Sequence, residues 1–196
     1  MTKRQNAYLF ARSIVERVLA LLLLIFFSPV LFLIGLLIRL DSPGPVLFRQ
    51  ARAGRFHAPF VIYKFRTMKT GTPNLSTEEM QRAGLSPMTR LGMLLRRTSL
   101  DELPQLLNVL QGNMSFIGPR PALISQTRVL TLREAAGVEQ LLPGITGYAQ
   151  VSGRDDLEDE EKVRRDTEYL NRLGLSMDLS IVKSTLNSVA KGTGNK

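Results

Sequence analysis

The chain has 196 residues, enough for one compact domain with an appended segment. Its 44% hydrophobic and 22% charged residues exclude a disordered or low-complexity protein, and the absence of cysteine excludes a disulfide framework or a thiolate metal site. Lys and Arg outnumber Asp and Glu by 26 to 17, and the net charge of +9 favours polyanionic partners: nucleic acid, anionic lipid or a phosphate-rich substrate.

The first element is an apolar run from Val18 to Ile38, interrupted only by Ser28, Pro29 and Gly35. About 20 residues span a bilayer as a helix, and this run has that length. It exceeds the apolar core of a signal peptide and ends in Arg39-Leu40-Asp41-Ser42-Pro43 rather than at a small-residue cleavage site. Basic residues flank both ends: Lys3, Arg4, Arg12 and Arg17 before it, Arg39, Arg49, Arg52 and Arg55 after it. Short basic flanks prefer the cytoplasm, and both can lie there only if the segment enters the membrane and turns back. Ser28-Pro29 lies at the midpoint. Pro29 deprives the Ile25 carbonyl of its helical donor, and the Ser28 hydroxyl can bond back to a carbonyl. The reading is a re-entrant helix broken at Ser28-Pro29, with a proline-kinked straight crossing as its rival.

Asp41 to Pro45 is a turn cluster. Val46–Phe48 and Phe60–Phe65 read as strands of a hairpin around Gly54, and Lys64 and Arg66 alternate onto one strand face. Thr70 to Pro87 reads as a loop. Thr89 to Arg97 is a short basic amphipathic helix, and Asp101 to Leu110 a second one, with Leu103, Leu106, Leu107 and Leu110 on one face. A loop with two prolines around Arg120 leads to a helix expected from about Ala122 to Leu142. Pro143-Gly144 breaks that helix. Arg154 to Tyr169 is charged and helical, and Leu179 to Lys191 is a weakly amphipathic helix suited to a bilayer interface.

Asp101 and Glu102 open the Leu-faced helix. One reading is capping: Ser99-x-x-Glu102 fits a capping box, and Asp101 itself can cap. The chemical reading uses the same place. A carboxylate at a helix N-terminus stays ionised, the more so near Arg96 and Arg97, and an ionised carboxylate can attack an activated phosphorus. Its neighbour can hold magnesium or accept a proton. Arg120, stiffened by Pro119 and Pro121, suits bidentate phosphate binding, with a surface-loop arginine as the plainer alternative. Lys64 and Arg66 are either further cations of the site or a solvated strand face. Pro143-Gly144-Ile145-Thr146-Gly147-Tyr148 is a glycine-bearing loop able to bring N–H groups to a phosphate and stack Tyr148 on a base. His57 is the only histidine, so a zinc cluster is excluded.

The ordered segments Phe27-Ser28-Pro29-Val30, Gly44-Pro45-Val46-Leu47-Phe48, Tyr63-Lys64-Phe65-Arg66-Thr67-Met68, Ser99-Leu100-Asp101-Glu102-Leu103, Met114 to Pro121 and Pro143 to Gly147 together resemble the bacterial sugar transferase family, the monotopic polyprenyl-phosphate phosphoglycosyl transferases. The resemblance implies an α+β, mostly helical fold. Residues 1–40 would form an N-terminal helix with the re-entrant hairpin. Residues 41–196 would form a cytoplasm-facing catalytic domain with a short β-hairpin and interfacial amphipathic helices, at the bacterial inner membrane. It implies a Mg2+-dependent ping-pong reaction: Asp101 attacks the β-phosphorus of a UDP-sugar, UMP leaves, and polyprenyl phosphate accepts the phosphosugar. Asp101 and Glu102 would be the catalytic pair and the metal ligands, and Lys64, Arg66, Arg96 and Arg120 the phosphate contacts. Pro143, Gly144, Thr146, Gly147 and Tyr148 would lie near the nucleotide. The family often has Trp where Tyr148 stands and Asn where Ser152 stands, which puts base stacking in doubt. The chain resembles the small, catalytic-domain-only form, and a homodimer is compatible with it. Competing readings are a UDP-sugar hydrolase using the same nucleophile and a basic membrane-anchored binding module. Aromatics are 7% and Trp is absent, so a nucleic-acid partner is not expected.

Overall fold

The computed structural model describes residues 1–72, 88–153 and 157–191. Helix α1 runs from Lys3 to Asp41, 39 residues in one piece. A capping box starts it: Thr2 Oγ1 accepts from Gln5 N at 3.2 Å, and Gln5 Oε1 accepts from Thr2 N at 2.8 Å. The break expected at Ser28-Pro29 is not an interruption of the helix. Ser28 Oγ donates to the Ile25 carbonyl at 2.8 Å and supplies the hydrogen bond that Pro29 cannot.

One stripe of α1 faces the rest of the chain. Glu16, Ala20, Ile34 and Ile38 are buried, and Tyr8, Arg12, Leu23, Leu24, Phe27 and Leu31 between them are half-buried, a spacing of three or four residues throughout. The remaining circumference exposes large apolar side chains such as Phe10, Ile25, Phe26, Phe32 and Leu40. Three hydrophobic clusters are strung along the stripe. Leu9 packs on the first, with Ile117, Val138, Leu141, Tyr169 and Ile181. Ala20, Leu23 and Leu24 belong to the second, with Ile62, Leu106, Val109 and Met114. Leu31, Ile34 and Ile38 belong to the third, with Phe65 and Leu95.

Strand β1 (Leu47–Ala53) and strand β2 (Pro59–Phe65) form the expected antiparallel hairpin, with Leu47 opposite Phe65 and Ala53 opposite Pro59. Helix α2 (Arg90–Arg97) follows, capped by Thr89, whose Oγ1 accepts from Gly92 N at 2.9 Å. Gly92 lies so close to the Thr67 backbone that a Cβ would meet its carbonyl oxygen at 2.0 Å. Leu100–Gln105 is a 3-10 turn that continues as helix α3 (Leu106–Gln111). Strand β3 (Ser115–Ile117) comes next, then helix α4 (Thr127–Ala135) and a 3-10 turn at Val138–Gln140. The single helix expected over residues 122–142 is thus two pieces, parted by Gly137 in the left-handed region at φ 71°. Strand β4 (Gly144–Thr146) pairs in parallel with β3, then helices α5 (Tyr148–Ser152), α6 (Asp159–Asn171) and α7 (Leu175–Lys191) complete the chain. The expected loop over residues 70–87 lies largely outside the described residues.

A buried polar node fixes α1 to the other elements. Arg12 Nη1 donates to Tyr169 Oη at 2.7 Å and to Asp178 Oδ2 at 2.8 Å, and Nη2 donates to Ser115 Oγ at 2.8 Å and to the Ile117 carbonyl at 3.0 Å. Ser115 Oγ donates in turn to Glu16, and Tyr8 and Tyr169 both donate to Asp178. Truncating one partner of such a buried ion cluster leaves the others uncompensated. Arg12→Met is expected to cost about 3 kcal/mol of stability. Comparing chemical denaturation of the variant and the wild type in detergent checks this, and a loss below about 1 kcal/mol contradicts it.

Candidate active site

Ser99 takes up the left-handed conformation, φ 57°, and turns the chain sharply into the Leu100–Gln105 3-10 turn. The expected capping box between Ser99 and Glu102 does not form: Ser99 makes no side-chain cap, and the Glu102 carboxylate points to Lys64 instead. Lys64 Nζ lies 2.5 Å from Glu102 Oε1. Gln105, itself 2% exposed, also hydrogen-bonds the Glu102 side chain. Burial alone raises the Glu102 carboxyl, but the charges of Lys64 and Arg120 and the bonds from Lys64 and Gln105 outweigh it and hold the group below its ordinary value.

Asp101 behaves in the opposite way. Its residue is 7% exposed, and its carboxyl is pushed up to about 6, first by burial and second by the neighbouring charge of Glu102, against the pull of Lys64 and Arg96. The sequence predicts a carboxylate kept low by a helix terminus. A short 3-10 turn offers little dipole, and desolvation wins. At neutral pH the carboxylate is still mostly ionised.

Lys64, Arg96 and Arg120, the cations named as phosphate contacts, all act electrostatically on the dyad. Arg66 does not share the site through its hydrogen bonds. It is buried, and its Nη atoms donate to the Ser42 carbonyl at 2.6 Å, Ser42 Oγ at 2.8 Å and the Pro43 carbonyl at 2.9 Å. The reason is local: β2 ends at Phe65, and the turn that follows α1 presents the Ser42 and Pro43 carbonyls, which the guanidinium satisfies.

The predicted glycine loop is a strand and a helix start. Gly144, Gly147 and Gly118 are there because two backbones touch: a Cβ on Gly144 would meet Gly118 N at 2.1 Å, and one on Gly147 would meet Gly118 O at 2.1 Å. Pro143 accepts from Ser115 N, Gly144 N donates to the Pro119 carbonyl at 2.9 Å, and Thr146 accepts from Gly118 N. The segment therefore buttresses the Gly118–Pro121 loop that carries Arg120. Tyr148 is packed rather than open: Arg165 lies over its ring at 5.9 Å and its hydroxyl donates to Glu168 at 3.3 Å. Arg133 Nη1 holds the Arg120 carbonyl at 2.8 Å while its Nη2 pairs with buried Asp166 at 2.8 Å. Neither residue carries a signal in the sequence, since 33 positions separate them.

Asparagine 108 was also invisible in the sequence. Fully buried, Asn108 accepts from Tyr63 N at 3.0 Å and donates to the Val61 carbonyl at 2.7 Å, so its amide completes the free edge of β2 beside Lys64. Among the described residues no group of three or more His, Cys, Asp and Glu gathers to hold a metal. The two adjacent carboxylates nonetheless fit a magnesium ion, which takes hard oxygen donors and completes its shell with substrate phosphates and water. The repulsion that raises Asp101 is what such a cation would relieve.

A pair of carboxylates under the electrostatic influence of Lys64, Arg96 and Arg120 suits phosphate chemistry, in a chain that carries one long apolar helix. Comparison with known proteins narrows that class. The sequence profile described as bacterial sugar transferase matches residues 7–192. The chain is 43% identical over 185 residues to a UDP-glucose:undecaprenyl-phosphate glucose-1-phosphate transferase of Caulobacter vibrioides, covering 91% of this chain and 69% of that protein. It is 44% identical over 187 residues to the Escherichia coli protein of the same name, covering 91% of this chain but 39% of that protein. It is 39% identical to the uncharacterized sugar transferase EpsL of Bacillus subtilis, covering 84% and 79%. The chain belongs to the bacterial sugar transferase family.

The raised Asp101 carboxyl has a consequence for stability. Its folded value lies above the ordinary aspartate value of 3.8, so its contribution is fully present below that value and is lost as pH rises through about 6. With a chelator present, Asp101→Asn is expected to be more stable than the wild type at pH 7.5, by up to about 3 kcal/mol. Thermal melts from pH 4 to 8 check this: the gap should shrink below pH 6, and an equal or lower melting temperature for the variant at pH 7.5 contradicts it.

Proposed function

We propose that this protein transfers a phosphosugar from a UDP-sugar to polyprenyl phosphate at the cytoplasmic face of the bacterial inner membrane. The observation that carries the reading is the pair of buried Asp101 and half-buried Glu102 under the electrostatic influence of Lys64, Arg96 and Arg120, in a chain whose relatives are named for this transfer. An Asp101 oxygen attacks the β-phosphorus of the UDP-sugar. The bond from that phosphorus to the bridging oxygen breaks, UMP leaves with that oxygen, and the phosphosugar stays on Asp101. An oxygen of polyprenyl phosphate then attacks the same phosphorus and frees the Asp101 carboxylate, giving a polyprenyl diphosphosugar.

The residues divide the work. Desolvation makes the Asp101 oxygen a better nucleophile than a hydrated carboxylate while leaving it ionised at pH 7. Lys64 and Gln105 hold Glu102 ionised and fixed. Arg96 and Arg120 neutralise charge on the phosphates, where positioning and electrostatics supply most of the catalysis. Asp101 and Glu102 would hold a magnesium ion, whose charge would offset that of the diphosphate.

The packing of α1 favours a re-entrant, monotopic placement over a crossing. Near its start Gln5, Tyr8 and Arg12 bond to α6 and α7, and at its end Ile38, Ser42 and Pro43 bond to Arg66. A helix with both halves against one folded unit cannot cross a bilayer and leave that unit wholly on one side. Two further faces suit the same surface. Helix α7 exposes Leu175, Leu179, Val182, Leu186 and Val189 at spacings of four and three, and α2 exposes Met93 and Leu94 beside Arg90 and Arg97. This is the interfacial role that the sequence predicts for amphipathic helices.

The test is a half-reaction. With a panel of UDP-sugars and no lipid acceptor, the wild type is expected to release about one UMP per active site and to carry a phosphosugar mass on the peptide holding Asp101. Asp101→Asn and Asp101→Ala are expected to lose at least a thousandfold in turnover while inserting into membranes normally. Full activity of Asp101→Asn refutes the nucleophile, and steady UMP release without lipid makes the protein a hydrolase.

A further inference from the structure

The two prolines that flank Arg120 have no N–H, so on either side of it the backbone offers a carbonyl and no donor. Each carbonyl of this stretch is taken by a donor from elsewhere in the chain. Gly144 N of β4 bonds the Pro119 carbonyl at 2.9 Å, and Arg133 Nη1 of α4 bonds that of Arg120 at 2.8 Å. From β1, Arg52 Nη1 bonds the Pro121 carbonyl at 3.1 Å and Ala53 N that of Ala122 at 3.0 Å. Four successive carbonyls are thus held by three separate elements, and only the bond from Arg133 falls on Arg120 itself.

Arg133 is oriented in turn by α6. One oxygen of Asp166, a residue 2% exposed, accepts from Arg133 Nε at 3.1 Å and from Nη2 at 2.8 Å. Because the guanidinium is planar and rigid, fixing Nε and Nη2 on Asp166 also fixes where Nη1 points, which is at the Arg120 carbonyl. Stability gives little reason for such a pair, since apolar residues of similar volume in place of a buried ion pair are often neutral. Helices α4 and α6 already meet through Val129 and Val163, each one turn from a member of the pair. What an apolar replacement could not supply is the donor to Arg120.

We propose that Asp166 and Arg133 are positioning residues for Arg120: together they fix the backbone from which its guanidinium reaches a substrate phosphate. The role rests on the transferase reading, in which Arg120 neutralises phosphate charge. Holding the loop before the ligand arrives lowers the ordering cost of binding. It also keeps the charge of Arg120 where Glu102 feels it.

The test uses the full chain in lipid nanodiscs. The principal variant is the double substitution Arg133→Met with Asp166→Leu, which leaves no unpaired ion behind. Arg133→Lys keeps a charge for Asp166 but loses the fork that spans both partners, and it decides the matter if the double variant fails to fold. Each is made with Arg120 present and again with Arg120→Ala. Melting temperature, affinity for inorganic pyrophosphate and the KM and kcat for UDP-sugar are measured. With Arg120 present, both variants are expected to melt near the wild type, to weaken pyrophosphate about tenfold and to lower kcat/KM by a similar factor. With Arg120→Ala, the same changes are expected to have less than about a twofold further effect, because their target is gone. A purely structural pair would give equal losses in both backgrounds, and that result overturns the proposal. If the wild type transfers phosphosugar and neither variant alters affinity or kcat/KM, the positioning role is wrong and the transferase reading stands. If the wild type transfers nothing yet pyrophosphate binding falls only where Arg120 is present, the positioning role stands and the transferase reading fails.

Discussion

The guanidinium of Arg12 sits where α1, β3, α6 and α7 meet, bonded at once to Tyr169, Asp178, Ser115 and the Ile117 carbonyl. Glu16, one turn on, takes the Ser115 hydroxyl from the other side. A buried charge network of this kind tolerates one arrangement, because any slip leaves an ion unpaired in a dry setting. It fixes the azimuth of α1, and with it which stripe of a nearly uniform apolar helix faces the three clusters. From Leu9 to Ile38 that stripe provides the surface on which the hairpin, α2 and α3 are assembled.

The site is built on that assembly in two halves. The hairpin brings Lys64, and Asn108 of α3 holds the outer edge of β2 by its amide. The 3-10 turn before α3 brings Asp101 and Glu102. A separate pair of parallel strands, β3 and β4, carries the Arg120 loop, with Gly118 and Gly144 permitting backbone contact that a side chain would forbid. The two halves close on Glu102, which feels both Lys64 and Arg120. The two acids then diverge: Glu102 is held low by its partners, and Asp101 is raised first by burial and second by the charge of Glu102. Adjacent carboxylates with divergent affinities for a proton can take different roles in one reaction.

The same helix that organises the site leaves most of its own circumference apolar and exposed. In water that surface would be a liability. With the outward stripe of α7 and the Met93-Leu94 edge of α2 it forms an apolar surface accompanied by exposed basic residues, which suits an anionic leaflet.

Sequence alone was sufficient for what depends on local pattern. The apolar length of α1, the back-bonding of the Ser28 hydroxyl to a carbonyl, the hairpin, the short helix before Arg97, and the family through its ordered motifs all follow from spacing and residue type. The cations Lys64, Arg96 and Arg120 were readable as candidates from strand alternation, nearness to the acid pair and flanking prolines respectively, and from the family resemblance. Tertiary structure decided the rest, because burial and partner choice act between residues remote in the chain. It sent Arg66 to the end of α1 and tied Arg52 to the Pro121 carbonyl, although both are arginines of one hairpin. It turned the Pro143–Tyr148 glycines from a phosphate loop into a backbone contact and raised Asp101 where a helix terminus alone would have lowered it. Periodicity states which side chains share a face, but only packing states what that face meets.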